Sequence, residues 1–182
     1  FDLTLDELTR VKAKELSEVW RGVNQRPIFL AASTHKGEDQ IVLAAFQQIK
    51  VLFESALLVI VPRHPERFDE VAALCNDTKL NLVRRSQGAS VADADILLGD
   101  TMGELMVFFG ACDVAFVGGS LVPTGGHNII EPAAWGVPIL TGPHLFNFAQ
   151  ASTLLIESGG LIVCEGSGSL AHQFTRLLQD HT

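Results

Sequence analysis

The stretch Leu57-Leu58-Val59-Ile60-Val61 is apolar at every position and runs into Pro62-Arg63-His64-Pro65. A half-exposed strand alternates apolar with polar residues, so an unbroken run of this length marks a strand covered on both faces. Such a strand needs a layer of helices above it and another below. Upstream, Glu38 to Lys50 carries Ile41, Val42, Ala45 and Ile49 on one helical face, and Pro27-Ile28-Phe29-Leu30-Ala31-Ala32 reads as a preceding strand. Ahead of that, residues 1–22 hold a leading amphipathic helix from Leu5 to Trp20, with Leu5, Leu8, Leu16 and Val19 on one stripe and Thr4-Leu5-Asp6-Glu7 as a capping box.

The alternation continues downstream. Glu66–Cys75 has helical spacing, Leu80–Val83 and Ile96–Leu98 read as strands, and Gly103–Ala111 as a helix. Val114-Ala115-Phe116-Val117 is another buried strand, followed by a short helix Asn128–Trp135, a strand Val137–Leu140 and a helix Phe148–Ser158. Leu161-Ile162-Val163 and a helical Leu170–Leu178 close the chain. Strands and helices alternating at this spacing predict βαβ units in a Rossmann-like, doubly wound parallel α/β sheet, with residues 1–182 as a single domain. In such a sheet ligands bind outside the carboxyl ends of the strands, on the loops that lead into helices.

Composition narrows the function. A length of 182 residues suits a single core, and 47% hydrophobic residues leave no room for extended disorder. No apolar stretch approaches the roughly 18 residues of a membrane span. Thirteen basic and 21 acidic residues give a net charge of −8, which argues against a general nucleic-acid binder. Cys75, Cys112 and Cys164 are odd in number and widely spaced, so neither a disulfide framework nor a zinc site is suggested, and a reducing cytoplasmic setting fits. The chain opens on Phe1 without Met or signal peptide, which suggests a piece of a longer protein.

Four strand-end loops carry the polar residues. The run Gly118-Gly119-Ser120-Leu121-Val122-Pro123-Thr124-Gly125-Gly126-His127-Asn128-Ile129-Ile130-Glu131-Pro132 is the richest. Its two Gly pairs permit sharp turns and close approach to a ligand. Asn128 is a good N-cap with Glu131 in capping-box position, so free N–H groups at the helix start suit a phosphate. Glu131 suits the two hydroxyls of a ribose. The alternative is a self-satisfied cap in which Glu131 only closes the box. After the most apolar strand, Arg63 offers a planar fork to a phosphate or base edge, while His64 reads as a solvated loop residue. In Gly99-Asp100-Thr101-Met102-Gly103-Glu104-Leu105, Thr101 is placed to cap a helix with Glu104 as its partner. Ser33-Thr34-His35-Lys36-Gly37-Glu38 adds hydroxyls and a cation. No GxGxxG follows the first strand, and the P-loop, GxSxG, HExxH and EF-hand patterns are absent.

Taken together, the loops resemble one family. Ser33-Thr34-His35 with Gly37-Glu38, Pro62 through Phe68, Gly99 through Leu105, and Phe116-Val117-Gly118-Gly119-Ser120-Leu121 with Gly125-Gly126-His127-Asn128 are similar to Kdo transferase, the 3-deoxy-D-manno-octulosonic acid transferase of Gram-negative lipopolysaccharide synthesis. Glu131-Pro132, Thr141-Gly142-Pro143-His144 and Asn147-Phe148 extend the resemblance over nearly the whole chain. It implies the C-terminal half of a two-domain GT-B glycosyltransferase, the half that binds the donor CMP-Kdo. It also implies donor-binding roles for Pro62 and Arg63, for Met102, Gly103 and Glu104, and for Asn128, Ile129, Ile130 and Glu131. Ser33, Thr34, Gly125, Gly126 and His127 are implied as cleft-lining residues. The family often has Pro and Leu where this chain has Ile129 and Ile130.

The resemblance further implies an inverting, metal-independent reaction with no cofactor beyond the donor substrate. A carboxylate base in an N-terminal domain deprotonates a hydroxyl of the lipid A precursor, the alkoxide attacks the anomeric carbon of Kdo, and CMP leaves. No catalytic residue is then expected in this chain, and a lysine that the family places before a Phe-Asp pair would precede Phe1. The expectation is a soluble piece that binds CMP without transferring sugar, from an enzyme held at the cytoplasmic face of the inner membrane through its N-terminal part. Two alternatives remain open: another nucleotide-sugar enzyme, such as a UDP-sugar transferase or epimerase, and a non-catalytic small-molecule-binding domain.

Overall fold

The computed structural model describes residues 5–179. Seven strands form one all-parallel sheet: β1 (Ile28–Thr34), β2 (Leu57–Pro62), β3 (Leu82–Arg84), β4 (Ile96–Leu98), β5 (Val114–Val117), β6 (Ile139–Thr141) and β7 (Leu161–Val163). Their order across the sheet is β3-β4-β2-β1-β5-β6-β7. Seven α-helices accompany them: α1 (Glu7–Arg21), α2 (Glu38–Leu52), α3 (Phe68–Asp77), α4 (Leu105–Ala111), α5 (Ile130–Ala134), α6 (Ala149–Ser158) and α7 (Ser167–Gln179).

Alternate strand residues enter two separate cores. Phe29, Ala31, Leu58, Ile60, Val114 and Phe116 pack with Val42, Phe46 and Ile49 of α2, Val71 of α3, and Leu170 and Phe174 of α7. Ile28, Leu30, Val59, Leu97 and Ala115 face the opposite way, onto Trp20 of α1, Phe108 and Phe109 of α4, and Leu155 of α6. The doubly wound arrangement therefore follows from strands that are apolar on both faces.

Several expected boundaries move. The leading helix begins at Glu7, because Asp6 serves as its N-cap and accepts the Thr9 N–H at 2.7 Å. Thr4, the other end of the expected capping box, lies outside the described residues. The apolar stripe of α1 also differs: Leu8 and Val19 are 62% and 66% exposed, while Ala13 and Trp20 are buried. Trp20 has the most surface to hide, and its edge-on contact with Phe108, at 5.1 Å between centroids, turns the helix towards α4. Pro62 belongs to β2, since its ring occupies the last ladder position opposite Thr34. Glu66 and Arg67 fall in a short 3-10 turn ahead of α3. The third strand is displaced to Leu82–Arg84 and the sixth to Ile139–Thr141.

From β1 the chain adds β2 on one side, then β3 at the edge and β4 in the gap between β3 and β2, before it crosses to β5 on the other side of β1 and continues to β6 and β7. The loops after β1 and β5 diverge at this reversal and leave a crevice between them, at the carboxyl edge of the sheet.

Candidate functional site

Strand β1 ends in a bulge at Ser33, whose φ of 58° is unusual for a residue with a side chain. Gly118, at the end of β5, lies directly against it: a Cβ there would sit 2.3 Å from the Ser33 carbonyl oxygen. The first Gly pair thus serves an approach of protein to protein. What fills the turn is Glu38, fully buried in the first turn of α2. Its carboxylate accepts the backbone N–H groups of Gly119 at 2.7 Å, Ser120 at 3.1 Å, Leu121 at 2.9 Å and His35 at 2.9 Å. Successive N–H groups in such a turn are a ready anion receptor, and here the anion is supplied from within the chain. Asp39 beside it is equally buried, accepting the Thr34 hydroxyl at 2.6 Å and pairing with Arg67.

Glu38 thereby joins the loops that carry His35 and His127. The two imidazoles share an Nε2–Nε2 hydrogen bond, with the rings end to end, their planes within 3° and their centroids 4.7 Å apart. His64 stands edge-on to His35 at 5.3 Å and 85°. Gly119, at φ 73°, leaves room for the His127 ring, which a Cβ would approach to 2.8 Å. Burial, followed by the nearby His35, Arg63 and His64, pushes the His127 pKa down to about 4. Burial likewise lowers His35, partly opposed by Glu38.

These loops border a cleft of about 580 Å³. Ser33 comes to it from β1, Pro62 and Arg63 from the end of β2, and Met102, Gly103 and Glu104 from the loop between β4 and α4. Gly126, His127, Asn128 and Glu131 line it from the β5–α5 connection, with Asn147 and Phe148 on the same wall. The Arg63 guanidinium is exposed and makes no hydrogen bond or ion pair among the described residues. Its backbone N–H is held by the Thr34 carbonyl at 2.9 Å, which fixes where the side chain starts.

Other expected residues lie elsewhere. Thr34 is fully buried, because the bulge at Ser33 turns its hydroxyl inward to Asp39. Ile129 is fully buried in the core beneath α4 and α5, so its side chain is structural. Ile130 does not line the cleft and contributes a backbone N–H to the Asn128 cap. Gly125 packs against the Phe146 ring, 2.4 Å from where its Cβ would be.

The caps also differ from expectation. The Asn128 Oδ1 accepts the N–H of Ile130 at 2.8 Å and of Glu131 at 3.4 Å, while its Nδ2 donates to the Glu131 carboxylate at 3.2 Å. The N–H groups expected to be free are therefore taken by the cap, and the cleft instead meets the Asn128 amide and the Glu131 carboxyl, which burial pushes up. Thr101 does not cap α4. Its hydroxyl bonds the Glu104 carboxylate, which Arg85 also grips through two bonds of 2.8 Å. That Arg85 pairing holds Glu104 below the usual carboxylate range. Asp100, also buried, receives Arg84 at 2.8 Å and the Ser86 hydroxyl at 2.6 Å. The end of the edge strand β3 and the 3-10 turn after it, through Arg84, Arg85 and Ser86, therefore brace the loop that carries Met102 and Gly103. Among the described residues, no group of three His, Cys, Asp or Glu is placed to hold a metal ion, and no helix is long and apolar enough to cross a membrane.

No family model matches the chain. It is 46% identical over 164 residues to a 3-deoxy-D-manno-octulosonic acid transferase of Haemophilus influenzae, and 39% identical over 167 residues to one of Bordetella pertussis. Each match takes in 89% of this chain but only 38% of the relative, so the chain spans well under half the length of these curated relatives. Among solved structures, the C-terminal CMP-Kdo binding domain of WaaA from Acinetobacter baumannii superposes with a TM-score of 0.90 at 35% identity, covering 97% of this chain and 92% of that domain. The C-terminal domain of a group 1 glycosyl transferase (LpcC) from Francisella tularensis shares the fold, with a TM-score of 0.59 at 16% identity.

Proposed function

The chain belongs to the Kdo transferase family, aligned with its C-terminal domain, and on that premise we propose that it is the donor-binding domain of an inverting glycosyltransferase that moves Kdo from CMP-Kdo to a lipid A precursor. One observation carries the reading: the likeness to a CMP-Kdo binding domain runs over the whole described fold, and the cleft lies at the sheet reversal that such a domain would use.

In this reading Pro62 and Arg63 hold one end of the nucleotide, and the Met102-Gly103-Glu104 loop meets it from the β4 side. Arg85 and Thr101 keep Glu104 ionised and fixed in orientation, which suits an acceptor for an amino group on the base. Asn128 and Glu131 face the ribose or phosphate. Ile129 supports that turn from the core, and Ile130 contributes through its backbone.

The domain's part in the chemistry is positional and electrostatic. The acceptor alkoxide forms a new bond at the anomeric carbon while the bond to the CMP oxygen breaks, so negative charge grows on the leaving phosphate. Arg63 and the surrounding donors stabilise that charge. The base belongs to the N-terminal domain of the complete enzyme, whose membrane association at the cytoplasmic face belongs to the same proposal. No metal and no cofactor besides the donor takes part.

The test is an amide NMR titration with CMP beside UMP, AMP and NAD. Selective shifts with CMP at Arg63, Gly103 and Asn128–Glu131 are expected. Equal shifts with every nucleotide, or a preference for UMP, overturn the assignment of donor.

A further inference from the structure

Resting on the donor-domain reading, we propose that His35, His127 and Arg63 form a subsite for an oxyanion of the ligand, and that the histidine pair takes up one proton when the subsite fills.

The geometry carries the first half. Loops after β1, β2 and β5 bring three imidazoles together. Of these, His127 lines the crevice, beside the unpaired guanidinium of Arg63 and backed by His35, in a chain whose net charge is −8. The charged and titratable groups facing the pair are Arg63, His64 and Arg67 from the end of β2 and the turn after it, and Glu38 from α2. Glu38 is the only carboxylate among them, and its oxygens are spent on four backbone N–H groups. Anions at a sheet reversal are commonly received by backbone N–H groups at the helix start. Here Glu38 and Asp39 occupy that place, so an incoming oxyanion is left to the side chains.

The second half follows from the proton count. A single Nε2–H lies between His35 and His127, donated by one ring and accepted by the other. That bond leaves no Nε2–H for a ligand. Burial and the neighbouring cations keep the pair neutral. An oxyanion placed against it offsets the repulsion and favours a second proton. With both Nε2 atoms protonated, the His–His bond is lost, and the Nε2–H of the cleft-lining His127 becomes a donor for the ligand. The oxyanion is a phosphate or a sugar-acid carboxylate, and both ask for the same donors.

Isothermal titration at about pH 6, where an unperturbed imidazole still titrates, distinguishes the sources when run in two buffers of different ionisation enthalpy. Cytidine should bind without proton uptake. Uptake of close to one proton with CMP, beyond what its own phosphate exchanges near its second pKa of about 6, assigns the phosphate, and uptake only with CMP-Kdo assigns the carboxylate. Affinity then falls about tenfold per pH unit between the pKa values of the free and the bound pair. Buffer-independent heats with both CMP and CMP-Kdo overturn the inference and leave the donor reading standing.

If no nucleotide binds, the donor reading fails, and the histidine resonances titrated with inorganic phosphate decide the subsite. A raised His127 midpoint sustains it, and an unmoved one overturns it. His127→Gln and His35→Gln should abolish uptake with circular dichroism unchanged, whereas His172→Gln, on the exposed face of α7, should not alter it. Should either site variant fail to fold, the proton count of the unaltered protein still decides.

Discussion

The buried carboxylate of Glu38 accepts the backbone N–H of Gly119 at 2.7 Å, across 81 residues of chain. Through that bond and those to Ser120, Leu121 and His35, the start of α2 sets the shape of the loop after β5. Glu38→Gln turns one acceptor oxygen into a donor aimed at N–H groups and should cost about 2–3 kcal/mol. Glu38→Ala leaves all four N–H groups without the carboxylate and should cost about 3–5 kcal/mol. Urea unfolding measures both. A loss below about 1 kcal/mol for Glu38→Ala would show that water replaces the carboxylate and that its four N–H bonds do not hold the loops together.

The central strands were legible because burial on both faces writes itself as a continuous apolar run. Ile96–Leu98 and Val114–Val117 coincide with β4 and β5 residue for residue, and Leu161–Val163 matches β7 as well, although that edge strand is only partly buried. The leading helix was legible as a helix, but its orientation was not. Leu8 and Val19 dominated the periodicity, while packing is decided by Trp20 against Phe108, a partner far along the chain.

The site was legible as a set of loops at the carboxyl edge, because Gly, Pro and polar residues cluster where strands end. Its internal bracing was hidden. Nothing local in the sequence reports that Glu38 and Asp39 are both fully buried. No local pattern marks Arg84 and Arg85, since Asp100 and Glu104 reach them only after the chain crosses from β3 to β4.

Asp100 should govern part of the acid stability. Burial alone would raise its carboxyl, but hydrogen bonds from Ser86 and Arg84 outweigh it and hold the group below its ordinary value. A carboxyl lowered in the fold contributes stability above its unfolded value of about 4, and this is lost as the pH falls through the folded value. Asp100→Asn should therefore be less stable than the parent near neutrality, by about 1–3 kcal/mol. The gap should narrow steadily below about pH 4. Thermal unfolding across that range checks it, and a gap that stays constant with pH would assign the loss to shape rather than to charge.

His127 should act in the opposite half of the acid range. Its folded value of about 4 lies below the ordinary imidazole value of 6.5, so the unfolded chain binds more protons between the two. Stability then falls as the pH drops from about 6.5 towards 4, and is fully present above that window. Solvent screening at a half-buried ring reduces the effect to about 1–2 kcal/mol. His127→Gln should flatten the stability curve of the ligand-free domain in this window, and a curve of unchanged slope would show that the ring titrates as it does in water.

Arg63 and Arg85 both serve the cleft, yet they should fail in different ways. Arg63 is exposed and unpaired, so Arg63→Ala should alter stability by less than about 0.5 kcal/mol. Removing its charged hydrogen bonds should weaken CMP binding about 10–100-fold, a loss that shrinks as salt screens the remaining attraction. Arg85 never needs to touch the nucleotide: it holds Glu104, whose ion pair is about one-third exposed. Arg85→Ala should cost about 0–1 kcal/mol in stability. It should weaken CMP binding less than Arg63→Ala does, with little dependence on salt, because the loss comes from a loosened loop. Lys at position 85 cannot reproduce the two-pronged grip and should restore little. Calorimetric titration of both variants at low and high salt separates the two roles. Equal salt dependence would mean that Arg85 reaches the phosphate itself.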